Sequence, residues 1–476
     1  MPMNKLIISF CCLFFFTNNK AQKTDTLPIP KTMNHKVEAA IIAIDSFSED
    51  QIYNAKALES FFQKLQYNEN HKNQKINIVH IGDSHIQSDL MTNEIRKKLQ
   101  QQFGNAGRGF VFPYQLAKTN GSYNERFHSN RLWQSYRNIL PVKNNSIGLS
   151  GIALWRENDD FVVELNIKDL DYKFNTIHII TPQNQDMFDL AISSKVNSIQ
   201  STERKTITHK IKKGEALSII ADKYNVSVAV LKRDNHLKST AIRAGRTLKI
   251  VTNETRPKTI SISNFVPLDL KSDSFSHYYN SDNELSKIFI TPNKKVSKYE
   301  LSGLVLEKDA PGLLYSSIGV NGAKFSDYNK YPLFFEQLKA LHPDMLVFSL
   351  GTNESYEKLE KENYIKELRT FISNIKEQGI NVPIIVMTPP PSLLRKMPNT
   401  YIREYTKEIL KIAQTDGFAV WDLYDEFGGI NGIQKLKAQG LIGPDYVHYS
   451  KKGYEKQANL FAEAFLKAYN NYKSKK

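Results

Sequence analysis

The sequence predicts an α/β fold whose parallel sheet is interrupted by a long β-rich insertion. Short β-branched runs alternate with amphipathic helical segments near the start of the chain and again in its last third. Such alternation is typical of a mostly parallel sheet with helices on both faces. Between these two parts, short alternating apolar segments are separated by turn residues, a pattern that indicates antiparallel strands. The 476 residues allow two or three domains.

The first α/β unit is predicted from three consecutive signals. Helical periodicity lies within residues 37–65, and residues 76–81 form a short β-rich run. This run ends in Gly82-Asp83-Ser84-His85, and an amphipathic helix follows over 89–103, ended by Gly104. Strand, glycine turn and helix in this order predict one α/β unit.

The insertion and the second α/β unit follow. In the insertion, alternating runs predict strands near 161–165, 176–180, 260–262 and 288–290. In the last third of the chain, the predicted strands are 345–350, 383–387 and 418–422, and the predicted helices are 363–378, 401–414 and 454–472. A separate small unit, with its own pattern, lies between the two halves of the insertion.

The N-terminus is typical of a secretory signal. Lys5 precedes an apolar run over 6–16, which is far shorter than the roughly 20 residues that span a bilayer. Polar residues and a cleavage site near Ala21-Gln22 follow, and no later segment is apolar enough to cross a membrane. We therefore expect an exported chain in the periplasm or cell envelope, with no integral membrane segment after cleavage.

The cysteine content and the net charge limit the kinds of site and ligand that the mature chain can have. Both cysteines, Cys11 and Cys12, lie inside the predicted signal, which excludes disulfides, thiolate metal sites and cysteine nucleophiles. The net charge of +15 favours binding to polyanions. For an exported protein, the first candidates are acidic polymers of the cell envelope. A lysine-rich soluble surface is the alternative. No recognition motif indicates nucleic acid, and no cluster at ligand spacing indicates a metal or another cofactor.

Two separated segments carry the residues of a serine nucleophile and its base. Ser84 follows a strand on a glycine turn, where open α/β sheets form their ligand crevice. Asp445 stands three residues before His448, so it can reach the imidazole, fix its tautomer and stabilise the imidazolium. Alone, the first segment also fits a helix cap and the second a loop histidine with a capping aspartate.

Two further segments fit stabilisation of an oxyanion. Asn353 lies in Leu350-Gly351-Thr352-Asn353-Glu354 at a predicted strand end, and a buried amide there can donate to developing negative charge. In Ile318-Gly319-Val320-Asn321-Gly322-Ala323, a glycine N–H can approach a substrate closely. Each segment alone also fits ordinary turn chemistry.

The order of these four segments resembles the SGNH (GDSL-like) hydrolase family over about 38–110 and 310–472. The resemblance implies a three-layer, flavodoxin-like α/β/α domain with a catalytic triad of Ser84, Asp445 and His448. It also implies an oxyanion hole made by the Ser84 N–H, a glycine N–H and the Asn353 side chain. Gly322 is preferred as that glycine, and Gly319 is the alternate. His85 stands where many members have leucine. This variant of the motif resembles the subgroup that acts on envelope polysaccharides.

Residues 206–252 resemble a LysM domain with strand, helix, helix and strand in order. The predicted core residues are Leu217, Ile220, Ala221, Leu231 and Leu248. The family binds N-acetylglucosamine-containing glycans, and the resemblance implies a glycan site at Gly214, Glu215, Ala216, Asn235 and Leu237. Glu215-Ala216 replaces the usual Asp-Thr, so a weakened or lost site kept as a spacer is the alternative.

The β-rich insertion is loosely similar to the sandwich of SGNH peptidoglycan O-acetylesterases. Its aromatic residues Trp133, Tyr136 and Trp155 fit either sugar stacking or a buried core. The predicted organisation is then a signal peptide (1–21), a linker (22–37), the hydrolase domain (38–110 and 310–476), the insertion (111–205 and 253–309) and the LysM domain (206–252).

The predicted function is a secreted serine esterase that deacetylates an envelope glycan, with peptidoglycan first. It would act through an acyl-enzyme, without a metal or cofactor. One alternative is an esterase or O-acetyltransferase that acts on another polysaccharide. A second is a non-catalytic protein that binds the cell wall. The sequence does not indicate an oligomeric state.

Overall fold

The computed structural model describes residues 51–196, 198–199, 202–257, 260–293 and 296–475. The predicted signal peptide, the linker at 22–37 and the first part of the helical stretch at 37–65 lie outside these described residues. No helix in the described part of the chain is both long and apolar enough to cross a membrane.

The described residues form strands and helices in the following order. The strands are β1 (Lys75–Gly82), β2 (Gly107–Val111), β3 (Glu125–Ser129), β4 (Gln134–Arg137), β5 (Ile152–Arg156), β6 (Val163–Ile167), β7 (Phe174–Ile180), β8 (Phe188–Ile192), β9 (Thr202–Lys210), β10 (Thr247–Pro257), β11 (Val266–Pro267), β12 (Lys271–Ser272), β13 (His277–Leu285), β14 (Lys287–Pro292), β15 (Tyr299–Glu300), β16 (Gly303–Glu307), β17 (Gly312–Gly319), β18 (Met345–Ser349), β19 (Ile384–Met387), β20 (Leu393–Leu394), β21 (Met397–Pro398) and β22 (Ala419–Trp421). The α-helices are α1 (Glu59–His71), α2 (Ser84–Gln87), α3 (Leu90–Phe103), α4 (Leu217–Lys223), α5 (Val228–Asp234), α6 (Phe325–Asn329), α7 (Pro332–Leu338), α8 (Thr352–Tyr356), α9 (Lys361–Glu377), α10 (Thr400–Asp416), α11 (Leu423–Glu426), α12 (Gly432–Ala438) and α13 (Lys451–Ser474).

The α/β domain is built on a five-stranded parallel sheet with the order β17-β1-β18-β19-β22. Alternate residues of β1 face opposite cores: Val79 and Ile81 belong to one cluster, and Ile76 and Ile78 to the other. A strand buried on both faces reads as a nearly continuous apolar run, which is why β1 carries one. The predicted α/β fold with a parallel sheet is confirmed.

The insertion contains two five-stranded antiparallel sheets. Their orders are β11-β8-β14-β6-β3 and β12-β13-β7-β16-β2, and a smaller sheet has the order β15-β5-β4. Inward residues of both large sheets, such as Leu165 and Leu304, share one hydrophobic cluster. The chain enters the insertion at β2, which pairs with β16, so the change falls before residue 107 rather than after 110.

One predicted strand is wrong. Residues 260–262 are not a strand, because Ile262–Asn264 forms a 3-10 turn. Ile260 and Ile262 pack beside a small apolar cluster that includes Phe265 and Phe289. Their apolar spacing therefore reflects burial against the back of a sheet and not strand pairing.

The small unit between the insertion's halves has the strand-helix-helix-strand order β9, α4, α5, β10, with the two strands antiparallel. All five predicted core residues are buried in one cluster, together with Ile211 and Ile250. The predicted core of this unit is therefore confirmed.

Candidate active site

The candidate site lies at the carboxyl edge of the parallel sheet. β1 ends at Gly82, its neighbour β17 at Gly319 and its other neighbour β18 at Ser349. Because parallel strands end on the same side, the turns that follow them come together at this edge. The fourth segment, with Asp445 and His448, lies in the loop between α12 and α13.

Ser84, His448 and Asp445 form a continuous hydrogen-bonded chain. Ser84 Oγ lies 2.8 Å from His448 Nε2, and His448 Nδ1 lies 2.7 Å from Asp445 Oδ2. Asp445 Oδ1 accepts the backbone N–H of Val447 and of His448, each at 3.0 Å. These two bonds fix the carboxylate, so its other oxygen can orient the imidazole.

The charge state of Asp445 suits this arrangement. Partial burial alone would raise the pKa of Asp445. The hydrogen bonds from the His448 side chain and the two backbone N–H groups outweigh burial and lower that pKa below its usual value. The carboxylate therefore stays ionised near neutral pH, and the exposure of about half of its side chain (49 %) also favours the charged form.

Ser84 begins the short helix α2, and Asp83 caps it. The Asp83 side chain accepts the His85 N–H at 2.9 Å, whereas the Ser84 N–H, as the first of the helix, has no partner within the helix. Burial raises the pKa of Asp83 to about 7, partly offset by that bond from His85. The turn thus leaves one backbone donor at the nucleophile.

His85 lies behind this turn and is neutral. Its Nδ1 is 2.9 Å from the Tyr454 hydroxyl of α13, and its ring centroid is 5.3 Å from that of His448. Burial, and then the neighbouring His448, lower the pKa of His85 to about 3. A neutral His85 does not repel the imidazolium that forms on His448 during proton transfer.

The two candidate glycines occupy different environments. Gly319 is packed under α2, because a Cβ there would lie 2.4 Å from Gln87 N and 2.8 Å from Asp83 O. Gly322 is partly exposed at the third position of a turn closed by Ala323 N–H and Val320 O at 2.9 Å. Its φ of +87° suits glycine. Gly319 therefore serves close packing, and Gly322 remains the candidate oxyanion donor.

Asn353 is attached to both turns. Its Nδ2 donates to Ala323 O at 3.0 Å and to Asp83 Oδ2 at 3.2 Å. The amide is therefore held between the nucleophile turn and the turn of Gly322. To donate to an oxyanion it would release the longer contact, that with Asp83. Its oxyanion role stays a prediction.

The sequence did not indicate a cluster that joins these turns to the insertion. Gln87 Oε1 accepts the Asn321 N–H at 2.6 Å, while Gln87 Nε2 donates to Asn120 O at 2.6 Å and to Thr119 Oγ1 at 2.9 Å. Asn321 Nδ2 donates to Asn120 Oδ1 at 2.6 Å. The only sequence signal was the position of Gln87, one helical turn after Ser84.

The predicted aromatic sugar contacts are not equivalent. Trp133 is buried and packs against Phe161 and Phe188, so it is a core residue. Tyr136 and Trp155 are partly buried, each with a lysine amine over its ring. Their sugar contact stays a prediction.

The predicted glycan residues of the small unit divide into two groups. Asn235 and Leu237 line a cavity of about 460 Å³ that also includes Arg243 and Arg246. The Asn235 side chain bonds the backbone N–H and C=O of Lys249, so it also has a structural role.

The other group lies on the loop before α4. Gly214 and Ala216 are exposed. The Glu215 carboxylate lies 2.8 Å from His209 Nε2 and accepts the Lys212 N–H at 2.7 Å. Glu215 therefore fixes its own loop, and glycan binding at these five residues stays a prediction.

Comparison with known families agrees with this geometry. A model of the GDSL-like lipase/acylhydrolase family matches residues 299–456. The chain contains a GDSL-like acylhydrolase domain. A LysM model matches residues 209–251. The acylhydrolase match begins at residue 299, in the last part of the insertion, which separates the Ser84 turn from the rest of the domain. The protein is therefore a carboxylic ester hydrolase that carries a LysM domain.

Similar solved structures differ in how much of this chain they cover. One, "Peptidoglycan O-acetylesterase in action, 5 min", is 18 % identical, with a TM-score of 0.61, and the match covers 89 % of this chain and 99 % of that one. A lipase/acylhydrolase from Enterococcus faecalis is 22 % identical, covering 32 % and 75 %, with a TM-score of 0.27. A GDSL-like lipase from Bacteroides thetaiotaomicron is 20 % identical, covering 32 % and 76 %, with a TM-score of 0.28. A search of curated proteins finds no match.

Proposed function

We propose that this acylhydrolase is a secreted serine esterase that removes O-acetyl groups from peptidoglycan. The observation that carries the proposal is the hydrogen-bonded chain from Ser84 through His448 to Asp445 at the carboxyl edge of the sheet. The LysM domain supports a glycan substrate. The fold shared with a peptidoglycan O-acetylesterase over 89 % of the chain supports peptidoglycan in particular.

In the proposed mechanism, Ser84 Oγ attacks the ester carbonyl while His448 Nε2 takes its proton. Asp445, ionised at neutral pH, holds the imidazole and stabilises the imidazolium. The N–H groups of Ser84 and Gly322 and the Asn353 amide bind the oxyanion. His448 then protonates the ester oxygen of the sugar, which leaves as a hydroxyl, and water hydrolyses the acetyl-enzyme with His448 again as base.

The experiment is release of acetate from O-acetylated peptidoglycan by the chain without residues 1–21. We expect Ser84→Ala to lower the rate by about 10⁴-fold or more, because the hydroxyl forms the acyl-enzyme. Ser373→Ala, at an exposed position of α9, is the matched control and should keep full activity. Equal acetate release by the wild type and Ser84→Ala would exclude Ser84 as the nucleophile.

Two further results would revise the proposal in different ways. If an aryl acetate is hydrolysed in a Ser84-dependent way and peptidoglycan is not, the mechanism holds and the substrate is another ester. Export is proposed from the sequence of residues 1–21. Activity confined to the cytoplasmic fraction of producing cells would contradict it.

A further inference from the structure

A second cavity, of about 500 Å³, lies where the α/β domain meets the insertion. Its walls come from the start of α3, the loop before β3 and the start of α13. The first wall begins at Ser88, four residues after Ser84, and the third begins at Lys451, three residues after His448. Because consecutive Cα atoms are about 3.8 Å apart, these two walls begin within about 15 Å of Ser84 and of His448.

Tyr123 supplies an exposed aromatic surface in this cavity. Its side chain is 65 % exposed, and the Arg126 guanidinium carbon lies 5.3 Å from its ring centroid. The loop on either side of it is fixed: the Ser122 hydroxyl bonds the Asn124 N–H at 3.1 Å, and Asn124 Nδ2 donates to Asn93 Oδ1 at 2.6 Å. Packing within the chain does not account for this ring, which faces solvent between two hydrogen-bonded residues.

The charged side chains that line the cavity have partners. Lys451 Nζ lies 3.6 Å from the Glu455 carboxylate, and Lys97 Nζ lies 3.2 Å from Asp169. Glu94 accepts a hydrogen bond from the neighbouring asparagine at 3.2 Å. The two lysines that line the cavity are thus paired with carboxylates, which leaves no unpaired lysine among the lining residues for an anionic ligand. A neutral N-acetylated sugar has hydroxyl and amide groups for such a rim and an apolar CH face for an aromatic ring.

We propose that this cavity is a glycan subsite, which holds the neutral sugar next to the acetylated one, with Tyr123 packed against its CH face. The inference rests on the proposed function, since an ester carried on a glycan strand has a neighbouring sugar on each side. A small acyl ester has no such neighbour and does not reach the subsite.

The test compares two substrates of the same full-length enzyme. For Tyr123→Ala we expect kcat/KM on O-acetylated peptidoglycan to fall about tenfold, mainly through KM, because the ring contributes binding and not chemistry. On an aryl acetate, kcat/KM should stay within about twofold of the wild type. Tyr123→Phe keeps the ring and should keep activity on both substrates.

A matched control is Tyr67→Ala, at an exposed tyrosine of α1 outside the cavity. It should leave both substrates unaffected. Unchanged activity of Tyr123→Ala on peptidoglycan would overturn the subsite. An equal loss on both substrates would also do so, because it would indicate a general defect of the active site.

A binding measurement separates failure of the subsite from failure of the proposed function. The probe is the unacetylated N-acetylglucosamine–N-acetylmuramic acid disaccharide, titrated by calorimetry into Ser84→Ala and Ser84→Ala/Tyr123→Ala. The LysM domain contributes equally to both titrations, so weaker binding by the double variant supports the subsite even if the wild type releases no acetate from peptidoglycan. Equal binding by the two variants contradicts it.

Discussion

At the residue scale, burial shifts the pKa values of three ionisable groups near Ser84 towards their neutral forms. Burial raises the pKa of Asp83 to about 7 and that of Glu354 to about 8, and it lowers the pKa of His85 to about 3. The half-exposed Asp445, in contrast, remains ionised. The negative charge next to the His448 imidazole is therefore carried by Asp445, which also orients the ring.

The first prediction concerns Glu354, which is buried and whose Oε1 accepts the Phe325 N–H at 2.9 Å. Between its usual pKa of 4.5 and its folded-state pKa of about 8, the folded protein keeps a proton that the unfolded chain releases. Folding stability therefore falls as pH rises through this range. Glu354→Gln removes the effect, so we expect wild type to lose about 4 kcal/mol relative to the variant between about pH 5 and about pH 9.

Denaturant unfolding at both pH values measures this difference. Glu362→Gln, at an exposed position of α9, is the control and should keep the pH dependence of the wild type. A Glu354→Gln variant whose stability has the same pH dependence as the wild type would contradict the shifted pKa.

At the element scale, a loop of the insertion reaches the catalytic turns. Thr119 and Asn120 bond Gln87 of α2, and both Gln87 and Asn120 bond Asn321, the residue before Gly322. The orientation of the Gly322 N–H is thus set partly by a segment that belongs to a different sheet system. The insertion therefore contacts the candidate active site.

We predict that Asn120→Ala lowers kcat on an aryl acetate about tenfold with little change in KM, because a displaced donor weakens transition-state binding. Asn120→Asp keeps the acceptor oxygen and should retain most of the activity. Steady-state kinetics measure both variants, and Asn144→Ala, exposed elsewhere in the insertion, is the control. A rise in KM alone would instead assign Asn120 to substrate binding.

At the scale of the whole molecule, a buried ionic cluster joins the α/β domain to the insertion. Asp89 lies 2.8 Å from Arg96 and 2.7 Å from Arg108, and Arg108 lies 3.0 Å from Glu125. Burial alone would raise the pKa of Asp89, but Arg108 and Arg96 hold it well below its usual range. Two cations and two anions balance, so each member depends on the others.

We predict that Arg108→Ala destabilises the protein by about 3–5 kcal/mol, because it leaves two buried carboxylates with one cation. Arg369→Ala, which removes an exposed pair with Asp416, should cost less than about 1 kcal/mol. Equilibrium unfolding measures both. Equal small losses would mean that the cluster does not stabilise the contact between the two parts.

The features of the fold that could be predicted from the sequence depend on residues that lie close together in the chain. β-branched runs, amphipathic spacing and glycine turns predicted the parallel sheet and the antiparallel insertion. The same patterns placed Ser84 and Asn353 at strand ends, where a parallel sheet brings them to one edge. The βααβ unit was predicted from its resemblance to a LysM domain. The three-residue spacing of Asp445 and His448 allowed the aspartate to reach the imidazole, and the resemblance of all four segments to the SGNH family selected this pair over a capping aspartate.

The tertiary structure decided what depends on contacts between distant segments. Trp133 is a core residue, and Gly319 packs under α2. The apolar residues at 260–262 are spaced for burial against a sheet and do not form a strand. The tertiary structure also joined Gln87 to Asn321, 234 residues later in the chain, and left Tyr123 exposed in a cavity that Ser88 also lines. Periodicity describes which side of an element is apolar, but the partner that covers that side is set only when the chain is packed.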